Sequence, residues 1–263
     1  IPMGTQTEIM PVMAGLATAG FVGEAEAITP SNPVWANRQL VAAKIASIVP
    51  FAREVLEDTS FDLQANLIPS VVEAIGGAID GAVLFGVNKP TAWTANSVIS
   101  GSTAASATTT YAATALVDNI NSVMGYVEAA GYDVNGFIAA NSMKAKLRGL
   151  VDSTGRPIYA SMTATEPANL WGEPVAFLRN GGFDTTQGLL IAGDFSKGVI
   201  GLRSDIRVDI LRESTITSGS DSISLGQNDM VALRFTMRVA YQVANCGTRI
   251  GGANAWPFAV LKV

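Results

Sequence analysis

Residues 60–86, SFDLQANLIPSVVEAIGGAIDGAVLFG, predict a long helix that carries neither Lys nor Arg. Apolar side chains recur in it at steps of three and four residues, the spacing of one helix face: Leu63, Leu67, Val71, Val72, Ile75, Ile79, Ala82 and Val83. Thr59 or Ser60 is the predicted N-cap, and Gly86 is the predicted stop. Such a helix spans roughly 40 Å. A solvent-facing helix usually carries charges of both signs, so other structure must cover this one.

The same segment contains four poor helix formers, Pro69, Gly76, Gly77 and Gly81. Pro69 has no amide donor, so it either kinks the helix or begins a second one. Each interior glycine costs about 1 kcal/mol relative to alanine. Gly77 and Gly81 are four residues apart and share a face. We expect either a close approach of another backbone there or glycines without a role in a helix held by packing.

The chain is poor in charge. Charged residues make up 15% of its 263 residues, whereas about a quarter is usual, which indicates that partners cover part of the surface. The net charge is −5 and no three Lys or Arg are consecutive. We therefore expect no basic patch for tight DNA binding, although weak contact with DNA stays open.

No apolar run approaches 18 residues, which predicts no transmembrane helix, and no signal peptide is visible. The start at Ile1, without Met, is consistent with a processed or trimmed chain.

The inventory of catalytic residues is small. The chain has no His and one Cys, Cys246. This composition excludes His-dependent catalysis, His-liganded metals, an internal disulfide and Cys-cluster metal sites. We expect Cys246 to be a small buried apolar residue. The four tryptophans are far apart in the sequence and suggest no platform for stacking bases: Trp35, Trp93, Trp171 and Trp256.

Two short motifs have a chemical interpretation. Glu54, Glu57, Asp58 and Asp62 form an acidic cluster. They either bind a metal or act as acid and base, or they stabilise the dipole of a helix N-terminus. GDFSKG, residues 193–198, lacks the spacing of a phosphate-binding loop. We therefore predict no catalytic, cofactor-binding or metal site, with a carboxylate-dependent enzyme as the remaining enzymatic alternative.

The N-terminal region predicts a hairpin. Residues 7–13, TEIMPVM, and 39–49, QLVAAKIASIV, are candidate strands on either side of a loop rich in Gly and Pro. Two isolated strands are marginally stable in water. We therefore expect this arm to lean on other structure, with a flexible terminal segment as the alternative.

The middle of the chain predicts an α/β subregion over residues 111–200. Residues 89–114, rich in Ser, Thr and Ala, precede it as a surface loop or a paired edge. A helix over 112–130 buries one face and ends at Gly131, and Asn141 or Ser142 caps a short helix to Leu150. The face of the first helix that we expect to be buried comprises Leu116, Ile120, Val123 and Val127. The three candidate strands are GFIAAN, VAFLRN and GLLIAGDF.

Two alternating segments in the last third predict strands that each bury one face. Their sequences are LRSDIRVDILRE, residues 202–213, and VALRFTMRVAYQVAN, residues 231–245. Antiparallel pairing would bring Asp205 or Asp209 to Arg234 or Arg238. We expect this sheet to lie against the long helix.

Six segments in order resemble the major capsid proteins of tailed bacteriophages, the Hong Kong 97 fold family. They are FVGEAEAITPSNPVW, LVAAKIASIVPFAREVLEDTSFDLQANL, DSTGRPIY, LWGEPVAFL, LLIAGDFSKGVIGLRSDIRVDILRE and WPFAVLKV. The resemblance implies an α+β fold with a long spine helix, an antiparallel sheet in the peripheral (P) domain, an α/β axial (A) domain and an extended E-loop hairpin.

The resemblance also implies a division of the chain. Residues 1–50 would form the N-terminal strand and E-loop hairpin, and 51–110 the P-domain with the spine helix. Residues 111–200 would form the A-domain, and 201–263 the strands that return to the P-domain sheet together with the C-terminal end. In this interpretation the hairpin around 21–35 lies on a neighbouring subunit.

The implied function is an icosahedral phage head of hexamers and pentamers around double-stranded DNA, not catalysis. Expected partners are copies of the chain, portal, scaffold or maturation protease, a cement protein, and DNA by weak contact, with no membrane. Assembly would occur in the host bacterial cytoplasm. Some relatives crosslink through an E-loop Lys, but residues 16–35 contain none, so we expect no crosslinking. An encapsulin-like compartment is the alternative shell.

Overall fold

A computed structural model describes residues 1–54, 63–151, 154, 169–218, 221–252 and 255–263. The helices are α1 (Leu63–Asp80), α2 (Val98–Ala104), α3 (Leu116–Ala129) and α4 (Met143–Arg148). The strands are β1 (Thr7–Gly15), β2 (Val34–Val41), β3 (Ala43–Ala52), β4 (Thr108–Thr110), β5 (Gly136–Ala140), β6 (Asn169–Leu170), β7 (Glu173–Leu178), β8 (Leu190–Gly193), β9 (Gly198–Leu211), β10 (Thr215–Ser218), β11 (Asp221–Ser224), β12 (Met230–Val243) and β13 (Phe258–Lys262). The predicted N-cap residues, Thr59 and Ser60, lie outside this part of the chain.

A six-stranded mixed sheet has the strand order β4-β13-β8-β5-β7-β6. Helix α3 packs on it with the face that the sequence predicted, because Leu116, Ile120, Val123 and Val127 are all buried. The predicted helix, its stop at Gly131 (φ +81°) and the strands β5, β7 and β8 are confirmed. The C-terminal strand β13 joins this sheet by pairing with β8 on one side and β4 on the other.

A three-stranded antiparallel sheet has the order β3-β12-β9. Its apolar face lies under α1: Leu233 and Phe235 of β12 are buried against Val71 and Ile75. This packing confirms the prediction that the sheet lies against the long helix. The predicted charge pair also forms, since Arg234 Nη2 lies 2.8 Å from Asp209 Oδ2. Both side chains are exposed, so the pair contributes at most about 1 kcal/mol.

The prediction that residues 39–49 form one strand of the hairpin is wrong. Ala42 divides the segment into β2, which pairs with β1, and β3, which pairs with β12 in the three-stranded sheet. Ala42 is buried, and its amide donates to the carbonyl of Gln6 (2.9 Å). The apolar spacing is the same on both sides of this junction, so the sequence pattern does not show it. As expected, the hairpin leans on other structure: Leu40 packs on Ala240.

Residues 89–114 are more ordered than the predicted surface loop. They include α2, whose N-cap Ser97 accepts a hydrogen bond from the Ser100 amide (3.3 Å). They also include β4, which is the paired edge offered as the alternative. Ser102 is fully buried and donates to the Phe258 carbonyl (3.0 Å). Small polar side chains are typical of loops, but here they let α2 pack closely on the sheet.

The long helix continues through Pro69 without a break and widens into a π-helical turn over Gly81–Phe85 before Gly86, φ +78°. Residues 67–85 have the length and composition of a membrane span, contrary to the expectation from the sequence, and only 28% of the span is buried. Val72, assigned to the buried face, is 44% exposed. One face of this helix is therefore uncovered in the isolated chain.

Gly77 lies where another backbone passes close to α1. A Cβ there would be 2.7 Å from the carbonyl oxygen of Asn180, and a Cβ on Gly182 would be 2.6 Å from the Gly77 carbonyl oxygen. The side chain of Asn180 holds this turn by donating to Asp80 Oδ2 (2.6 Å) and accepting from the Gly182 amide (3.1 Å). The close approach expected from the glycine spacing is thus confirmed at Gly77.

Gly77→Ala is expected to destabilise the subunit by about 2 kcal/mol, because the new methyl overlaps backbone that cannot rotate away. Gly76→Ala is the matched control, since its Cβ would meet only Asn180 Nδ2 at 3.8 Å. That change should stabilise by up to about 1 kcal/mol through helix propensity. Urea unfolding of dilute protein measures both, and a stabilising Gly77→Ala would contradict the close approach.

Candidate functional site: surfaces available for assembly

The predicted acidic cluster falls mostly outside the residues that the structure describes. Glu54 is exposed, and Glu57, Asp58 and Asp62 lie outside the described residues. Within residues 1–54, 63–151, 154, 169–218, 221–252 and 255–263, no three His, Cys, Asp or Glu side chains are placed to hold a metal ion.

GDFSKG is a capped turn and does not form a phosphate-binding loop. Asp194 Oδ1 accepts hydrogen bonds from the Ser196 amide (3.1 Å), from Ser196 Oγ (2.6 Å) and from Asn135 Nδ2 (2.8 Å). Lys197 approaches the other carboxylate oxygen at 4.0 Å. The carboxylate occupies the donors that a phosphate would need, so the residues form a structural turn, and Gly198 begins β9.

Cys246 is half-buried and not fully buried as expected, and its Sγ donates to the Ala244 carbonyl (3.5 Å). Its own carbonyl accepts from the hydroxyl of buried Tyr132 (2.6 Å). Burial raises the pKa of Tyr132 to about 12, with smaller contributions from Cys246 and Asp194.

Two tryptophans, Trp93 and Trp256, are buried, whereas Trp35 and Trp171 are exposed.

The raised pKa of Tyr132 predicts a loss of stability in alkali. The unfolded tyrosine ionises near its ordinary pKa of 10.0, whereas the folded one stays neutral to about 12. The contribution of neutral, buried Tyr132 to the free energy of unfolding is therefore complete below pH 10 and disappears as the pH rises towards 12. It is on the order of 2 kcal/mol. Urea unfolding from pH 8 to 12 measures the slope, which Tyr132→Phe should reduce. An unchanged slope in that variant would assign the pH dependence to other groups.

The loop between β1 and β2, residues 16–33, projects from the body of the chain. Nearly all of it is exposed, including Phe21, Val22 and Ile28. Its internal hydrogen bonds join Thr18 to Ser31 and Gly23 to Glu26; among them, the Thr18 amide donates to Ser31 Oγ (2.7 Å), and the Gly23 amide donates to Glu26 Oε2 (3.1 Å). An apolar projecting loop without a core of its own is a surface for a partner.

A second uncovered surface is apolar and lies beside α1. Val208 and Ile210 of β9 pair with Phe235 and Leu233, so they share the sheet face that the helix covers. They are nevertheless 49% and 54% exposed. The prediction that β9 buries this face holds at Ile206, which packs against the core under α1, and is wrong within one chain at Val208 and Ile210, because α1 leaves that end of β9 open.

The opposite face of the same sheet carries a concentration of positive charge. A cleft of about 400 Å³ is lined by Lys44, Arg203, Ser204, Arg207, Arg234, Thr236 and Arg238. We name these five Lys and Arg residues the cationic cleft. The sequence indicated scattered charges, because each cation stands alone along the chain. Sequence reasoning missed the cleft because the cleft depends on strand pairing. The pairing places Arg234 and Arg238 of β12 beside residues of β3 and β9.

Comparison with known proteins gives this surface a context. The phage capsid family model matches residues 3–246 of the chain. This chain belongs to the phage capsid family. The major capsid protein of Staphylococcus phage 80alpha is 29% identical over 240 residues, which cover 86% of this chain and 68% of that protein. A structure from Microbacterium phage Oxtober96 has a TM-score of 0.86 and 36% identity and covers 99% of this chain and 87% of its own. A structure from Mycobacterium phage Bobi has a TM-score of 0.85 and 31% identity and covers all of this chain and 87% of its own.

Membership of the phage capsid family confirms the resemblance read from the six segments, and the structural matches confirm the α+β capsid fold. The chain is a capsid protein that forms part of a virion shell. The boundaries at residues 50, 110 and 200 remain predictions. The surfaces described above, the projecting loop, the open end of β9 and the cationic cleft, are therefore features of a capsid subunit.

Proposed function

We propose that the chain is the principal subunit of an icosahedral phage head, which assembles through hexamers and pentamers and encloses double-stranded DNA. The observation that carries the proposal is the amount of apolar surface left uncovered on a folded chain. Only 28% of residues 67–85 is buried, and Val208, Ile210, Phe21 and Ile28 are exposed. Obligate assemblies bury large apolar interfaces of this kind, often above about 2,000 Å².

The apolar stretch 67–85 has an explanation in this proposal that does not require a membrane. One face contacts the three-stranded sheet, and its glycines admit the backbone of residues 180–182. The other face, with Ile68 and Val72 exposed, is available to a neighbouring subunit. Family resemblance supports contacts with portal, scaffold or maturation protease and a cement protein, and assembly in the host bacterial cytoplasm. Contact with packaged DNA is weak and non-specific.

We propose a structural role without catalysis. The family is one of phage capsid proteins, which build a shell. Crosslinking through the loop has no lysine to use, because residues 16–35 contain none. Non-covalent burial or a separate cement protein then carries the stability of the shell.

Electron microscopy of the purified protein tests the proposal. The expected result is closed, uniform shells, and particles from the native source should contain nuclease-protected double-stranded DNA. A lasting monomer at high concentration would contradict the proposal. Shells that hold protein cargo and no DNA would identify a cellular compartment.

A further inference from the structure

We propose that a cavity at the base of the hairpin formed by β1 and β2 binds a single carboxylate or phosphate group through Arg38. The cavity has a volume of about 280 Å³, and we name it the Arg38 cavity. Its lining comes from β2, from the loop before α2, and from the end of β12 with the residues that follow, and includes Arg38, Gln39, Thr94, Asn96, Gln242 and Asn245. All of these residues belong to one chain, so the inference goes beyond the proposed shell function and does not depend on it.

Strand alternation directs Arg38 towards the body of the chain. Leu40, two residues further along β2, is buried and packs on Ala240 of β12. Residues two apart on a strand share a face, so Arg38 lies on this inner face of the hairpin. Its side chain is partly buried, and Nε is fully buried. The positive charge therefore lies between the hairpin and the body.

Arg38 has no partner within the part of the chain that the structure describes. Its Nε has no hydrogen-bond acceptor, and no described carboxylate lies within 4.0 Å of its guanidinium group. By contrast, Arg53 and Arg234 each have a carboxylate partner, and Arg249 donates to a carbonyl. An exposed arginine can donate to water, but a buried donor that stays unpaired destabilises the fold. An oxyanion would supply the acceptor and neutralise the charge.

The rest of the cavity wall is neutral. Arg38 is the one charged residue among the described residues that line it. Thr94, Asn96 and Asn245 carry hydroxyl and amide groups, which can donate to an oxyanion. A guanidinium fork surrounded by neutral donors suits a carboxylate or a phosphate group and repels a metal cation.

The size of the cavity restricts the ligand. Pockets for drug-sized ligands have volumes of about 300–1,000 Å³, and the Arg38 cavity, at about 280 Å³, lies just below that range. It therefore fits inorganic phosphate or a short carboxylate, and it is too small for a nucleotide.

Hydrogen bonds hold the walls in place. Gln242 Nε2 donates to the Gln39 carbonyl (2.9 Å), and Gln242 Oε1 accepts from the Val243 amide (3.0 Å). In the loop before α2, Lys89 Nζ donates to the Ala95 carbonyl (2.6 Å). Binding to such a pre-formed site orders few additional groups. Because the walls belong to three separate segments, a bound anion would also fasten β2 to the body of the chain.

Urea unfolding of dilute full-length protein tests the site. Sodium phosphate is increased while sodium chloride keeps the ionic strength constant, and the gain in stability gives the Kd by linkage. We expect a Kd in the millimolar range, and hydrogen exchange at Val34–Val41 should slow as phosphate binds. A parallel titration with sodium acetate measures the affinity for a carboxylate.

Arg38→Met should raise the Kd by at least about tenfold, because it removes the charged fork. In chloride alone, its urea midpoint should equal or exceed that of wild type, because a buried unpaired donor is gone. A purely structural arginine would instead lower that midpoint when replaced. Arg212→Met, at an exposed arginine outside the cavity, is the matched control and should keep the wild-type Kd.

Asn96→Asp is a second variant, which keeps the test decisive if Arg38→Met misfolds. The change is nearly isosteric and lies at an exposed position in the wall. The added carboxylate should repel the anion and raise the Kd by at least about tenfold.

The site is overturned if neither phosphate nor acetate stabilises the protein more than chloride does, or if Arg38→Met responds to both as wild type does. A response to either anion that depends on Arg38 supports the site and identifies the preferred group. The same titration on assembled shells identifies the source of the anion. A retained response indicates a free anion, and a lost response indicates that a carboxylate of a neighbouring copy occupies the cavity. Because dilute protein decides the main question, failure of the proposed shell function leaves this test intact.

Discussion

Deletion of Ala19–Asn32 is expected to leave a folded subunit that no longer forms closed shells. The loop contributes little to its own chain, since the hydrogen bonds within it are local and its apolar residues are exposed. Thr18, the last residue before the deletion, donates its amide to Oγ of Ser31 (2.7 Å), which lies two residues before Pro33, so the two ends of the deletion are close enough to join. The free energy of unfolding should change by less than about 1 kcal/mol, whereas shell yield should fall to background.

The matched control replaces the same fourteen residues, counted from 19 to 32, with a Gly/Ser segment of equal length. It keeps the reach of the hairpin and removes the side chains. Loss of shells in both variants would assign assembly to the side chains, and loss in the deletion alone would assign it to loop length. Normal shells from the deletion variant would contradict the role that we propose for this loop.

Gly101→Ala is expected to be the most destabilising single methyl addition, with a loss of about 3 kcal/mol or more. The new Cβ would overlap three carbons of the Trp256 ring, and even the most distant, Cη2, would be only 2.5 Å away. The ring cannot easily move, because Trp256 Nε1 donates to Ser102 Oγ (3.2 Å) and the ring packs on Phe258.

A double-mutant cycle tests this contact. Trp256→Leu removes the overlapping ring, so Gly101→Ala should cost at least about 1 kcal/mol less in that background. Gly125→Ala on α3 is the control, because no heavy atom lies within 4 Å of its Cβ position. It should stabilise slightly. Urea unfolding measures the four proteins of the cycle and the control, and additive losses at Gly101 and Trp256 would show that the ring is not what opposes the methyl group.

Buried polar atoms in the core show a different limit of sequence reasoning. Tyr241 is buried, which raises its pKa above that of ordinary tyrosine, and its hydroxyl has no hydrogen-bond partner in the described residues. Alternation along β12 places Tyr241 on the apolar face correctly. Nothing in the sequence shows that its hydroxyl is left unpaired, because that depends on which neighbours surround the end of the ring.

Local patterns determined most of the secondary structure. The step of three and four residues located α1 and α3, and alternation located β9 and β12, because helix and strand periods follow from backbone geometry alone. The six segments in order identified the family, which the comparisons confirm.

Tertiary structure alone decided where elements separate and which surfaces stay open. The division at Ala42, the formation of α2, the half-burial of Cys246 and the exposure of Val208 each depend on what lies opposite in space. The cationic cleft has the same origin: its five cations come from three strands that sequence leaves far apart. Periodicity indicates which face of an element is apolar, but strand pairing and helix placement determine whether that face is covered.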